Sequence, residues 1–145
     1  MIANERQYRI TKSEATKFTE ALSRLDTVES HRSDEMRRIM REAVQSQLEE
    51  LREQLAEYDA LRSGKVAVLE IEGLQDLPLA LVRARIASGL TQKELARRLG
   101  LKEQQIQRYE ATRYRGVSLE RIQQVAEALG VTIREWLTLP AAVQK

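Results

Sequence analysis

Residues 91–111 read TQKELARRLGLKEQQIQRYEA. Thr91-Gln92-Lys93-Glu94 has the pattern of a capping box, in which the Thr hydroxyl takes a free backbone N–H and the Glu reaches back to the cap. Leu95, Ala96 and Leu99 face inward on the short helix that follows, and Gly100 closes it. A second helix starts near Lys102 and buries Ile106 and Tyr109. Two helices joined by a turn of about 3–4 residues must cross steeply. That crossing needs a small residue at the closest approach, here Ala96, and a residue free to turn left-handed, here Gly100. It also needs an apolar residue midway along the second helix, here Ile106, with Leu95, Leu99 and Tyr109 completing the wedge. Many small helical domains carry one of these features, and few carry the set.

The flanking sequence extends the same helical unit. Pro78 suits a first helical position, Leu79, Val82 and Ile86 line one face, and Gly89 ends the helix. Ser118 caps a further helix whose stripe is Leu119, Ile122, Val125, Ala126 and Leu129, ending at Gly130. Ile133, Trp136 and Leu137 predict a last short helix that seals the core. The unit therefore spans 77–139, with a tail at 140–145.

Taken together, Gly89-Leu90-Thr91-Gln92-Lys93-Glu94-Leu95-Ala96, Leu99-Gly100-Leu101, Gln105-Ile106-Gln107-Arg108-Tyr109-Glu110 and Val125-Ala126-Glu127-Ala128-Leu129-Gly130-Val131 resemble the XRE or phage-repressor (cI/Cro-like) helix-turn-helix family. The resemblance covers roughly 77–137, a little under half the chain. It implies a five-helix DNA-binding domain whose third helix enters the major groove. It places Glu103, Gln104, Gln105 and Arg108 at the base-reading positions, and Gln92 at a phosphate. It pairs Arg85 with Glu110 in a structural salt bridge between the first and third helices. Arg113, Tyr114 and Arg115 fall in the loop that skirts the DNA backbone. That loop, Glu110 to Ser118, is one residue longer than the family's, with Thr112 where Gly is common and Val117 in place of a Pro.

The chemistry of these side chains agrees with that implication. Gln makes two bonds to adenine, Arg two to guanine, and Glu accepts from cytosine N4. Lys93, Lys102, Arg113 and Arg115 suit phosphate oxygens, which set register without reading sequence. Residues 83–115 hold nine Lys/Arg against Glu94, Glu103 and Glu110, the electrostatic footprint of a polyanion partner. Residues 1–64 hold eleven Lys/Arg against thirteen Asp/Glu.

The N-terminal part reads differently. Gln7-Tyr8-Arg9-Ile10 suits an extended segment, and Thr11-Lys12-Ser13-Glu14 a capping box. Ala15, Phe18, Leu22 and Leu25 then mark one stripe of a helix over 11–25. A second helix from Ser33 to Leu61, about 45 Å long at about 1.5 Å per residue, carries Met36, Met40, Val44, Leu48, Leu51, Leu55 and Tyr58 at spacings of 3 and 4. That stripe is too long for an 11–25 helix to cover, which predicts a homodimer or a partner protein on it. Residues 1–64 thus form a dimerisation or partner-binding module, and 65–76 a linker with a possible short strand at Lys65–Glu72.

The fold class expected is all-α. With no cysteine and one histidine, His31 in a polar loop, neither a disulfide nor a zinc site is expected. No Ser/His/Asp or Cys/His set, Gly-rich phosphate loop or cofactor motif is present, so no enzyme and no cofactor are expected. No apolar run approaches a membrane span and the start lacks a signal-peptide core, so a cytoplasmic protein is expected. The expected partners are double-stranded DNA and a second copy. Small proteins that join such a domain to a helical module include antitoxin-type (HigA-like) regulators, so the resemblance also admits a cognate toxin. The alternatives are an interaction adaptor or a toxin-neutralising protein in which DNA binding is secondary.

Overall fold

The structure, a computed structural model, describes residues 1–27 and 33–141. Among these described residues six α-helices follow in order: α1 Glu5–Thr27, α2 Asp34–Arg62, α3 Leu77–Ala87, α4 Gln92–Leu99, α5 Glu103–Ala111 and α6 Leu119–Leu129. A 3-10 turn, Leu74–Asp76, leads into α3. The fold is all-α, and among the described residues there is no strand. Residues 65–71, where a short strand was possible, carry no regular secondary structure. His31, expected in a solvated loop, lies outside the described residues, as do 142–145.

α1 begins well before the Thr11 box. The Asn4 Oδ1 accepts the Gln7 N–H at 2.9 Å, and Gln7 Oε1 accepts the Ala3 N–H at 2.8 Å. This Asn-x-x-Gln arrangement supplies the start, so residues 7–10 are helical and Thr11 is a buried interior position. The added turns align α1 antiparallel to α2 along most of its length. Glu5 pairs with Arg62 at 2.7 Å at one end, the Tyr8 hydroxyl donates to Asp59 at 3.2 Å, and Asp26 pairs with Arg41 near the other.

The α2 stripe is therefore covered in part within its own chain. Tyr8, Thr11, Ala15, Phe18, Leu22 and Leu25 of α1 repeat at spacings of 3 and 4, matching a hairpin partner. Leu48 and Tyr58 are buried, Met40, Val44, Leu51 and Leu55 are half-buried, and only Met36 of the stripe is left exposed. The longer α1 thus supplies, within the chain, part of the cover that was expected from a second molecule.

The hairpin base also docks on the C-terminal helices. Ile2, Tyr58 and Leu61 share one hydrophobic core with Leu77, Leu81, Val82, Ile86, Leu95, Ile106 and Val125. Arg83 of α3 bonds Glu57 of α2 at 2.7 Å. The core of 77–139 is thus not closed by its own residues alone.

The expected last helix is absent. Gly130 ends α6 in the left-handed conformation, where the Val131 N–H reaches the Ala126 carbonyl at 3.1 Å. Residues 131–141 then run without helix, and Trp136 and Leu137 are exposed rather than sealing the core. β-branched and aromatic residues with Pro140 make this a poor helix former. Val66, Leu69 and Ile71 of the linker pack against the core instead. Residues 77–139 accordingly hold four helices, not five.

Candidate nucleic-acid interface

The site is built on α4 and α5. Thr91 Oγ1 accepts the Glu94 N–H at 3.1 Å, and Glu94 Oε2 accepts the Thr91 N–H at 2.7 Å, closing the expected capping box. That Thr91 backbone N–H holds the Glu94 carboxyl below its ordinary value. Gly100 turns left-handed, and Leu101 N–H bonds the Ala96 carbonyl at 2.8 Å, so α5 leaves at a steep angle. Leu95, Ala96 and Ile106 are buried at the crossing.

Burial of Ile106, Tyr109 and Glu110 fixes which side of α5 faces out. Glu103, Gln104, Gln107 and Arg108 are exposed, at i, i+1, i+4 and i+5 of one face. Gln107 was missed by the sequence reading, although its spacing of four from Glu103 would have found it. Gln105 sits apart from this face. Its Oε1 accepts the Lys102 N–H at 3.0 Å and so completes the start of α5. That oxygen is the acceptor a bidentate contact to adenine would use. A cleft of about 950 Å³ opens beside the face, bordered by Asn4, Arg6, Gln92, Glu103, Gln107 and Arg113.

The Arg85 guanidinium donates through Nε and Nη2 to the Glu110 carboxylate, tying α3 to the end of α5. Arg85 also donates to the Leu90 carbonyl at 2.7 Å and to the Ala3 carbonyl. Gln92 joins this network: its Nε2 donates to Glu110 at 3.1 Å and its Oε1 accepts from Asn4 at 3.3 Å. Gln92 is consequently buried, and the expected phosphate contact through its side chain is corrected. The first residues of the chain hold it inward.

Tyr114, expected beside the DNA backbone, is likewise buried. Arg113 and Tyr114 both take positive φ, 53° and 57°, which folds the Tyr114 ring back against Tyr109 at 5.7 Å. Burial pushes its phenol pKa up. The longer loop is used for this tuck, and it leaves Arg113 and Arg115 exposed on either side.

The basic excess sorts accordingly. Arg83 and Arg85 are in ion pairs, and Arg98 donates to the Ala128 carbonyl at 2.8 Å. Lys93, Arg97, Lys102, Arg108, Arg113 and Arg115 are exposed and make no salt bridge among the described residues. Of the three acids, Glu94 serves its cap and Glu110 serves Arg85, leaving Glu103 alone on the outer face. The result is a polar outer face on α5, with exposed cations on α4, at the start of α5 and in the loop after it. No helix among the described residues is long and apolar enough to cross a membrane. No curated protein and no solved structure matches the chain. Residues 81–136, which carry α4, its turn and α5, match the helix-turn-helix family (HTH_3) of DNA-binding transcription regulators.

Proposed function

We propose that the protein is a sequence-specific, double-stranded-DNA-binding transcriptional repressor that works as a homodimer. The carrying observation is the outer face of α5. Glu103, Gln104, Gln107 and Arg108 are exposed on a helix set by a steep turn, with Lys93, Lys102, Arg113 and Arg115 exposed on α4, at the start of α5 and in the loop after it. The helix enters the major groove, where Arg108 suits guanine and the two glutamines suit adenine. The surrounding cations take phosphates and release counterions, which makes binding salt-dependent. Repression follows from occupying a promoter.

A selection of genomic fragments followed by titration at several salt concentrations tests this reading. The expected result is one preferred sequence class, bound with a negative salt slope. Absence of any salt-dependent binding to duplex DNA would overturn it. A narrower role as an autoregulating antitoxin draws on the α1–α2 hairpin, whose end remote from α5 exposes Met36 and Ile39 to a partner protein. Recovery of a stable complex with the product of an adjacent gene tests that role.

A further inference from the structure

Large apolar side chains stay exposed at several places, among them Ile10, Met36, Ile39, Leu74 and Leu119, and the three most exposed lie together in sequence after α6. Trp136, Leu137 and Leu139, in the segment after α6, are 87%, 92% and 80% exposed, and Val68 on the linker is 77% exposed. A single exposed Leu is ordinary, whereas three large apolar side chains within four residues form a patch of the kind that marks an interface. The linker and the segment after α6 border one trough of about 500 Å³. Its floor is α3, through Leu77, Ala80 and Ala84, and its walls include Val68 and Ile133. Trp136, three residues past Ile133, is not part of the lining. The backbone of 132–141 makes no hydrogen bond to other backbone among the described residues, so its polar groups are free to pair.

We propose that two copies of the chain associate at this surface, the Trp136–Leu139 segment of each lying in the trough of the other. Covering Trp136, Leu137, Leu139 and Val68 removes roughly 600 Å² per copy, the indole giving up to about 250 Å² of it. With the trough walls added, this reaches the about 800 Å² per partner of a standard interface. The unpaired backbone of 132–141 leaves N–H and C=O groups that can bond across such a contact. Reciprocal exchange about a two-fold axis closes on itself and adds no third copy. Of the α2 stripe only Met36 is exposed, at 48%, so it offers less bare surface than the segment after α6. The purpose of the pairing rests on the DNA-binding reading: it presents two α5 faces to two half-sites.

Sedimentation velocity of the full chain without DNA, from about 1 to 100 μM, tests the pairing. The unsubstituted chain sediments as a dimer. Trp136→Glu/Leu137→Glu raises the dimer dissociation constant at least about a hundredfold with an unchanged far-ultraviolet spectrum, as does Val68→Glu. An equal mixture of the two variants regains dimer, because one segment and its trough remain intact between unlike copies. A monomeric unsubstituted chain at 100 μM, a dimer that survives both variants, or a mixture that stays monomeric overturns the proposal. Duplex titrations of the same samples separate the two readings. Dimers that bind no duplex at any salt sink the DNA reading and uphold the pairing; monomers that bind duplex do the reverse.

Discussion

Replacing Glu110 strands a cation. Arg85 and Glu110 each keep only 3% of their side-chain surface in water, so neither charge is solvated once its partner is removed. Glu110→Ala leaves the guanidinium with two backbone carbonyls, of Leu90 and Ala3, and no counter-charge. Breaking a buried pair from one side costs about 3–5 kcal/mol. That is a large part of the about 5–15 kcal/mol that holds a domain folded. Glu110→Gln keeps the shape and one acceptor and loses the charge, so a cost of about 1.5–3 kcal/mol is expected. Arg85→Met/Glu110→Leu recovers part of the loss, because apolar replacement of a whole buried pair is often close to neutral. Recovery stays incomplete, since the Leu90 and Ala3 carbonyls and the Gln92 amide lose their partner. Urea unfolding followed by circular dichroism measures the cycle, at one protein concentration because association adds to apparent stability. A coupling energy below about 1 kcal/mol, as for surface pairs, would refute the argument that this pair is sealed from solvent.

Other expectations follow from the same geometry. Gln104→Ala, Gln107→Ala and Arg108→Ala should each weaken binding to a selected site by about 1–3 kcal/mol and change random-duplex binding little, measured by fluorescence anisotropy. Lys102→Ala and Lys93→Ala should weaken all sequences alike and lower the magnitude of the salt slope by about 0.9 each. Gln105→Ala should loosen the start of α5 at a cost of about 1 kcal/mol and reduce binding to selected and random duplexes together, seen by comparing thermal unfolding with the same titrations. Arg113→Gly should move stability and affinity in opposite directions, gaining about 1 kcal/mol by relieving a left-handed Arg while losing one phosphate contact. Glu94 should titrate below the ordinary carboxylate range by NMR. Its lowered folded value means that the stability it contributes is present above the unfolded carboxylate pKa and lost as pH falls through the folded one, a loss that Glu94→Gln lacks.

What the sequence revealed and what it hid divide along the reach of the interactions. The α4–turn–α5 unit was legible because its determinants are local: a capping box within four residues, a left-handed Gly100, and Ile106 at the crossing. α2 was legible from Ser33 onward for the same reason, Ser33 accepting the Met36 N–H as its cap. The start of α1 was misplaced because two capping patterns compete within ten residues, and Asn4 wins through a contact 88 residues away. Its side chain reaches Gln92, while the neighbouring Ala3 carbonyl takes Arg85. Those same long-range bonds turned Gln92 from an expected phosphate ligand into a member of the core network. The burial of Tyr114, expected in the loop along the DNA backbone, was not legible because two successive non-glycine residues with positive φ leave no compositional trace. The missing last helix has a similar origin, since the 65–71 linker, read only as a possible strand, supplies cover that a C-terminal helix was expected to give. Each error therefore moved apolar surface or a polar group from one partner to another. With α1 covering part of the α2 stripe, the most exposed apolar residues lie at Trp136–Leu139, at the opposite end of the chain from where the sequence placed the association.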